Sequence, residues 1–100
     1  GRSMNVSQTI TFKKWFTKLR DRKARKCIVS RIERLERGLL GDAKSVGENV
    51  NELRIHYGSG YRLYFTRRGE SWILLLCGGN KDDQARDIKN AKELAKETEL

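Results

Sequence analysis

The chain has 100 residues and a formal net charge of +9; 37% of residues are hydrophobic, 35% are charged, and none is proline. A chain of that length makes one domain and buries roughly two-thirds of its unfolded surface, enough for a single modest core. No apolar run approaches the roughly 20 residues a membrane span needs, and two cysteines with one histidine are too few for a structural zinc site, so neither a membrane nor a metal is expected.

The opening Gly1-Arg2-Ser3-Met4 reads as a tag remnant ahead of a start methionine, leaving residues 5–100 as one domain. No signal-peptide pattern follows, which places the protein in the cytoplasm. Cys27 and Cys77 fall within helical and strand patterns and are expected to be buried, reduced thiols. Charge is unevenly spread: residues 1–40 carry 12 Lys or Arg against three acids, whereas residues 41–100 carry 10 of each. A basic half beside a neutral half steers a polyanion or an acidic protein toward one side. The plainer reading is a solvated helix surface.

Val6–Thr11 is short, β-prone and roughly alternating, an edge strand or an extended lead-in. Phe12, Trp15, Phe16 and Leu19 then recur at helical spacing, with Thr11 as N-cap and Lys13, Lys14 and Lys18 on the wet side. A second helix over about Arg22–Gly38 carries a stripe of Ala24, Cys27, Ile28, Ile32 and Leu35 and ends at Gly38, a natural C′ residue. The two helices pair as an antiparallel hairpin and must hide their stripes against a sheet. Residues 38–49, with three glycines, read as loop.

Three strand-like runs follow, Asn51–Tyr57, Tyr61–Arg67 and Trp72–Cys77, broken by short glycine-containing stretches. That pattern predicts an antiparallel meander. Alternation puts Leu53, Ile55, Leu63, Phe65, Ile73, Leu75 and Cys77 on hydrocarbon faces, and leaves Arg54, His56, Arg62 and Tyr64 side by side on the other face. Gly78-Gly79-Asn80 ends the last strand. Asp82 or Asp83 caps a final helix to about Lys96, whose turns beyond Lys92 are polar and expected to fray. The fold class is α+β: an N-terminal antiparallel helical hairpin packed on a small antiparallel β-sheet of three to four strands, followed by a C-terminal helix.

Nucleotide-loop, metal-centre and Ser-His-Asp patterns are missing from the sequence. What remains is a cationic sheet face suited to a phosphate-bearing ligand. Cleaving a phosphodiester needs cations on a rigid scaffold to stabilise the charge at phosphorus, together with a proton acceptor and donor, roles open to His56, Tyr64, Tyr61 or Lys81. RNA brings its own nucleophile, the 2′-hydroxyl, so positioning and electrostatics suffice. Lys13, Lys14, Lys18, Lys44 and Arg67 are candidates for nucleic-acid binding. The ordinary alternatives stand beside these: Arg54 and Arg62 as strand residues paired with Glu52 or Glu48, Tyr64 as a cover on the sheet, and His56 and Lys81 as surface residues.

Taken in order, Phe12-x-x-Trp15-Phe16-x-x-Leu19-Arg20-Asp21, Arg31-Ile32-x-Arg34-Leu35, Gly41-Asp42-x-Lys44-x-Val46-Gly47, Glu52-Leu53-Arg54-Ile55, Gly60-Tyr61-Arg62-Leu63-Tyr64-Phe65 and Leu74-Leu75-Leu76-Cys77-Gly78-Gly79-Asn80-Lys81 followed by Gln84 and Asp87-Ile88 resemble the addiction-module killer proteins of the RelE/ParE toxin superfamily, near its HigB branch. The resemblance covers Phe12 to about Ala95. It implies the toxin of a type II toxin–antitoxin pair, with a cognate antitoxin of helix-turn-helix type as partner. It further implies a ribosome-dependent mRNA endoribonuclease, an mRNA interferase that inhibits translation without metal or cofactor. On that pattern Arg54 and Arg62 bind the phosphate and its transition state, Lys81 is a third cation, and Tyr64 and His56 serve in stacking or proton transfer. RelE-like members often carry a catalytic Tyr or a His–Tyr set near the C-terminus; here nothing after Trp72 is Tyr or His. Members that poison DNA gyrase also lack a full catalytic set, so a gyrase poison stays open, as does an inert module that binds nucleic acid or antitoxin.

Overall fold

Five strands form one sheet in the computed structural model, which describes residues 3–98. In chain order the elements are β1 (Asn5–Gln8), α1 (Ile10–Lys18), α2 (Arg22–Glu36), β2 (Ala43–Gly47), β3 (Val50–Ile55), β4 (Tyr61–Arg68), β5 (Trp72–Asn80), a 3₁₀ turn (Lys81–Asp83) and α3 (Gln84–Glu97). The sheet order is β1-β5-β4-β3-β2. The meander β3–β5 is antiparallel as expected, β2 extends it antiparallel to β3, and β1 lies parallel to β5. The sheet is therefore mixed and has five strands rather than three or four. The extra member inside the expected loop is β2, an edge strand whose residues are exposed or half-buried. With so little apolar face, its alternation is too faint to read.

Helix α1 is capped two residues earlier than expected, by Thr9 rather than Thr11. The Thr9 hydroxyl accepts from the Phe12 N–H at 3.0 Å and donates to the Leu76 carbonyl at 2.6 Å. The second bond ties the helix start to β5, a long-range gain that the local pattern at Thr11 could not reveal. At the end of α2, Gly38 takes a φ of 80°; its N–H bonds the Leu35 carbonyl and the Leu39 N–H bonds that of Arg34. That is the double closure favoured by glycine at C′. Helices α1 and α2 share one sheet face without forming a closely packed hairpin: α1 rests on β5, while α2 crosses β1 and β3. Phe12, Ile28, Leu35, Leu53, Leu63, Phe65 and Leu75 fill the core between them and the sheet, joined by Met4. Residues 1–2 of the expected tag remnant lie outside the described residues, and Met4, assigned with them, belongs to this core.

The opposite face is not open. Helix α3 covers it, burying Val50, Tyr64, Leu76 and Cys77 under Ala91 and Ala95. A bulge makes this second core. Tyr64 pairs with Cys77 but Phe65 pairs with Leu75, so Leu76 is an extra residue. The slip carries Cys77 away from the face of Ile73 and Leu75, because one added residue inverts the alternation beyond it. Cys77 is buried as expected, whereas Cys27 is half-buried; both are free thiols.

Gly78 and Gly79 lie inside β5 rather than ending it. A Cβ on Gly78 would collide with the Trp15 ring on one side, and a Cβ on Gly79 would collide with the Asp87 carboxyl on the other. Two adjacent glycines thus let α1 and α3 approach the same strand from opposite faces. The C-terminal turns, expected to fray, are clasped: Arg68 Nη2 donates to Ala95 O at 2.9 Å and to Thr98 Oγ1 at 3.0 Å. The expectation for residues 99–100 lies outside the described residues. Among the described residues no helix is long and apolar enough to cross a membrane.

Candidate functional site

Strand register builds the site. Arg54 on β3 lies directly opposite Arg62 on β4, and Gly79 on β5 completes the row. The turn after β3 is formed by Tyr57–Gly60, closed by the Gly60 N–H on the Tyr57 carbonyl at 3.0 Å. Lys81 follows β5 immediately, and its N–H reaches the Gly60 carbonyl at 3.2 Å. These pieces enclose a cleft of about 400 Å³ lined by Arg54, His56, Arg62 and Lys81, with Tyr57 and Tyr61 along it. The Tyr57 hydroxyl donates to Asp21 Oδ1 at 3.2 Å. The same oxygen caps the start of α2 by accepting from the N–H groups of Lys23 and Ala24, so the cleft is braced against the helical layer. Burial, and then the bond to Asp21, raise the Tyr57 phenol above its ordinary value.

Four of the five catalytic candidates therefore line one cleft. Tyr64 does not: its side chain is wholly buried in the second core and donates to Glu52 Oε2 at 3.0 Å. The expectation that it stands exposed beside the arginines fails because α3 covers that part of the face. Burial first, and the adjacent Glu52 carboxylate second, push its phenol far above its ordinary value, so it remains a donor. Of the nucleic-acid candidates, Lys13, Lys14 and Lys18 are exposed on α1, across the sheet from the arginines. Lys44 on β2 lies 3.9 Å from Glu52. Arg67 borders a separate cavity beside Met4 and Ile73.

Two carboxylates, neither singled out from the sequence as a site residue, organise the cations. Glu52 is fully buried; besides Tyr64 it accepts from Gln84 Nε2 at 2.8 Å and pairs with Arg62 Nε at 3.5 Å. The pairing of Arg62 with Glu52 was one of the ordinary alternatives, and it is present. Arg54 pairs with Asp42, Nη2 to Oδ1 at 3.1 Å, and the other oxygen of Asp42 meets His56 Nε2 at 2.6 Å. These two hydrogen bonds, His56 first, hold the Asp42 carboxyl below its ordinary value. Among the described residues the buried Nε atoms of Arg54 and Arg62 have no hydrogen-bond partner. Glu52 was legible as the one acid alternating in phase with Arg54. Asp42 carried no local signal, lying 12 residues from Arg54 within what read as loop.

The arrangement is a cationic cleft with one imidazole, carried by a five-stranded sheet between helical layers: an α+β protein whose basic cleft lies at the end of its sheet. Residues 14–98 match the phage-derived protein Gp49-like family (DUF891), and the chain belongs to that family, a RelE-like group associated with toxin–antitoxin toxins. It is also 44% identical over 98 residues to an uncharacterised protein of Haemophilus influenzae, covering 98% of this chain and 99% of the relative.

Proposed function

We propose that the chain is the toxin of a type II toxin–antitoxin pair and acts as a metal-independent, ribosome-dependent mRNA endoribonuclease that halts translation. One observation carries this reading: Arg54, Arg62, Lys81 and His56 converge on a single cleft from three separate chain segments. Three cations there would hold a scissile phosphate and stabilise the charge that grows on it as the 2′-hydroxyl attacks. Both arginines stand on paired strands, so little reorganisation is needed. Lys13, Lys14, Lys18, Lys44 and Arg67 would make outer contacts with RNA, and the antitoxin, of helix-turn-helix type, would present an acidic or amphipathic segment to the basic surface.

A second reading, a non-cleaving poison of DNA gyrase, is favoured by the ion pairing of Arg62 with Glu52, which spends part of the charge a nuclease would use. Primer extension on cellular mRNA after induction separates the two. Cleavage within translated messages is expected, and Arg54→Ala or Arg62→Ala should each lower it by about 10²–10³-fold, the usual cost of removing one electrostatic contact. Undiminished cleavage by both folded variants would remove the site assignment. Intact transcripts alongside DNA damage would establish the gyrase reading instead.

A further inference from the structure

We propose that Asp42 and His56 form a carboxylate–imidazole pair in which Asp42 is the positioning residue and His56 Nδ1 accepts the proton of the RNA 2′-hydroxyl. The inference deepens the endoribonuclease reading and rests on it. Its starting point is the 2.6 Å contact between His56 Nε2 and Asp42 Oδ2. An ionised carboxylate only accepts hydrogen bonds, so Nε2 must carry the hydrogen. The neutral ring then has one bare nitrogen, Nδ1. A base oriented through its other nitrogen by a carboxylate is the arrangement that general-base chemistry needs.

Asp42 is set in place by the backbone rather than by its side chain. Its carbonyl accepts the Arg54 N–H at 2.9 Å, and the next residue, Ala43, begins the ladder opposite Leu53. Before it, Gly41 takes a φ of 69°, and a Cβ there would strike the Arg31 guanidinium. Arg31 runs through that gap to the Arg54 carbonyl at 3.2 Å. The two oxygens of Asp42 thus do separate jobs: Oδ1 fixes Arg54 and Oδ2 fixes His56. The His56 side chain is 72% exposed, and exposed pairs contribute little to folding. The pair therefore adds little to the fold, and the ring stays accessible at the mouth of the cleft, as a proton acceptor must be.

The step balances without an external reagent. The 2′-hydroxyl proton moves to Nδ1 as the O2′–phosphorus bond forms. The phosphorus–O5′ bond breaks, and the leaving 5′-oxygen takes a proton from the Lys81 ammonium. The imidazolium, stabilised by Asp42, returns its proton to solvent, and Lys81 regains one. The products are a 2′,3′-cyclic phosphate and a 5′-hydroxyl end.

The test uses the whole chain and its one histidine, whose imidazole nitrogens give unambiguous ¹⁵N resonances. Wild-type protein should show the neutral ring protonated at Nε2, and Asp42→Asn should shift the balance toward Nδ1–H. On ribosome-bound mRNA, Asp42→Asn should lower kcat on the order of 10²-fold with little change in KM, and Asp42→Glu should recover part of that loss. His56→Gln should fall at least as far as Asp42→Asn. A neutral wild-type ring protonated at Nδ1, an unaltered tautomer balance in Asp42→Asn, or an undiminished kcat would overturn the pair while leaving the nuclease reading intact. Wild-type protein that never cuts ribosome-bound mRNA would instead overturn the nuclease reading, and the His56 role with it.

Discussion

Tyr64→Phe separates a structural tyrosine from a catalytic one. The substitution keeps the ring that Val50, Leu76 and Ala91 pack around and deletes only the hydroxyl, which donates to Glu52 Oε2 at 3.0 Å inside the protein. A hydrogen bond to a charged acceptor is worth about 1.5–3 kcal/mol. Glu52 keeps Gln84 and Arg62 as partners, which argues for the lower half of that range, about 2 kcal/mol. For a domain of this size such a loss lowers Tm by about 10 °C. Thermal unfolding followed by circular dichroism measures it directly. Cleavage assayed well below the lowered Tm should remain close to wild type. A Tm within about 2 °C of wild type, far less than the expected shift, would refute the buried bond. A folded variant with no cleavage would return Tyr64 to the reaction.

Other expectations rest on separate parts of the fold. Gly78→Ala drives a methyl into the Trp15 ring and should destabilise by about 1–3 kcal/mol, the usual range for overpacking; urea unfolding should show a smaller cost in a Trp15→Ala background, since the two sites share one contact. Arg68→Ala removes the bonds to Ala95 and Thr98, and amide exchange in the last turn of α3 should accelerate with little change at the sheet. Glu48 pairs with Lys96 at 3.3 Å and Lys92 at 3.6 Å; the bond to Lys96, then its charge, holds the Glu48 carboxyl below its ordinary value of 4.5. A lowered carboxyl stabilises the fold fully above that ordinary value and stops doing so as pH falls through its folded one. Glu48→Gln should therefore melt below wild type at pH 7, and the two curves should converge in acid.

Alternation and helical spacing are consequences of local geometry, so the three helices, the strands β3 to β5, the hydrocarbon stripe of α2 and the facing arginines were legible from residue pattern alone, whereas β2 was not. Arg54 and Arg62 meet because neighbouring strands hold them in register, and a short turn between two alternating runs already implies that pairing. The remainder depends on contacts distant in sequence. Thr9 caps α1 where it does because it also reaches β5. Leu76 slips out of register because α3 offers a second core for Cys77, and that same helix buries Tyr64. Asp42 reaches Arg54 and His56 only when β2 pairs with β3. A single strand specifies which residues share a face, but not what covers that face. Coverage is decided by the packing of whole elements, and here it determines that the cleft opens at the end of the sheet, beside His56 and Lys81, rather than across its middle.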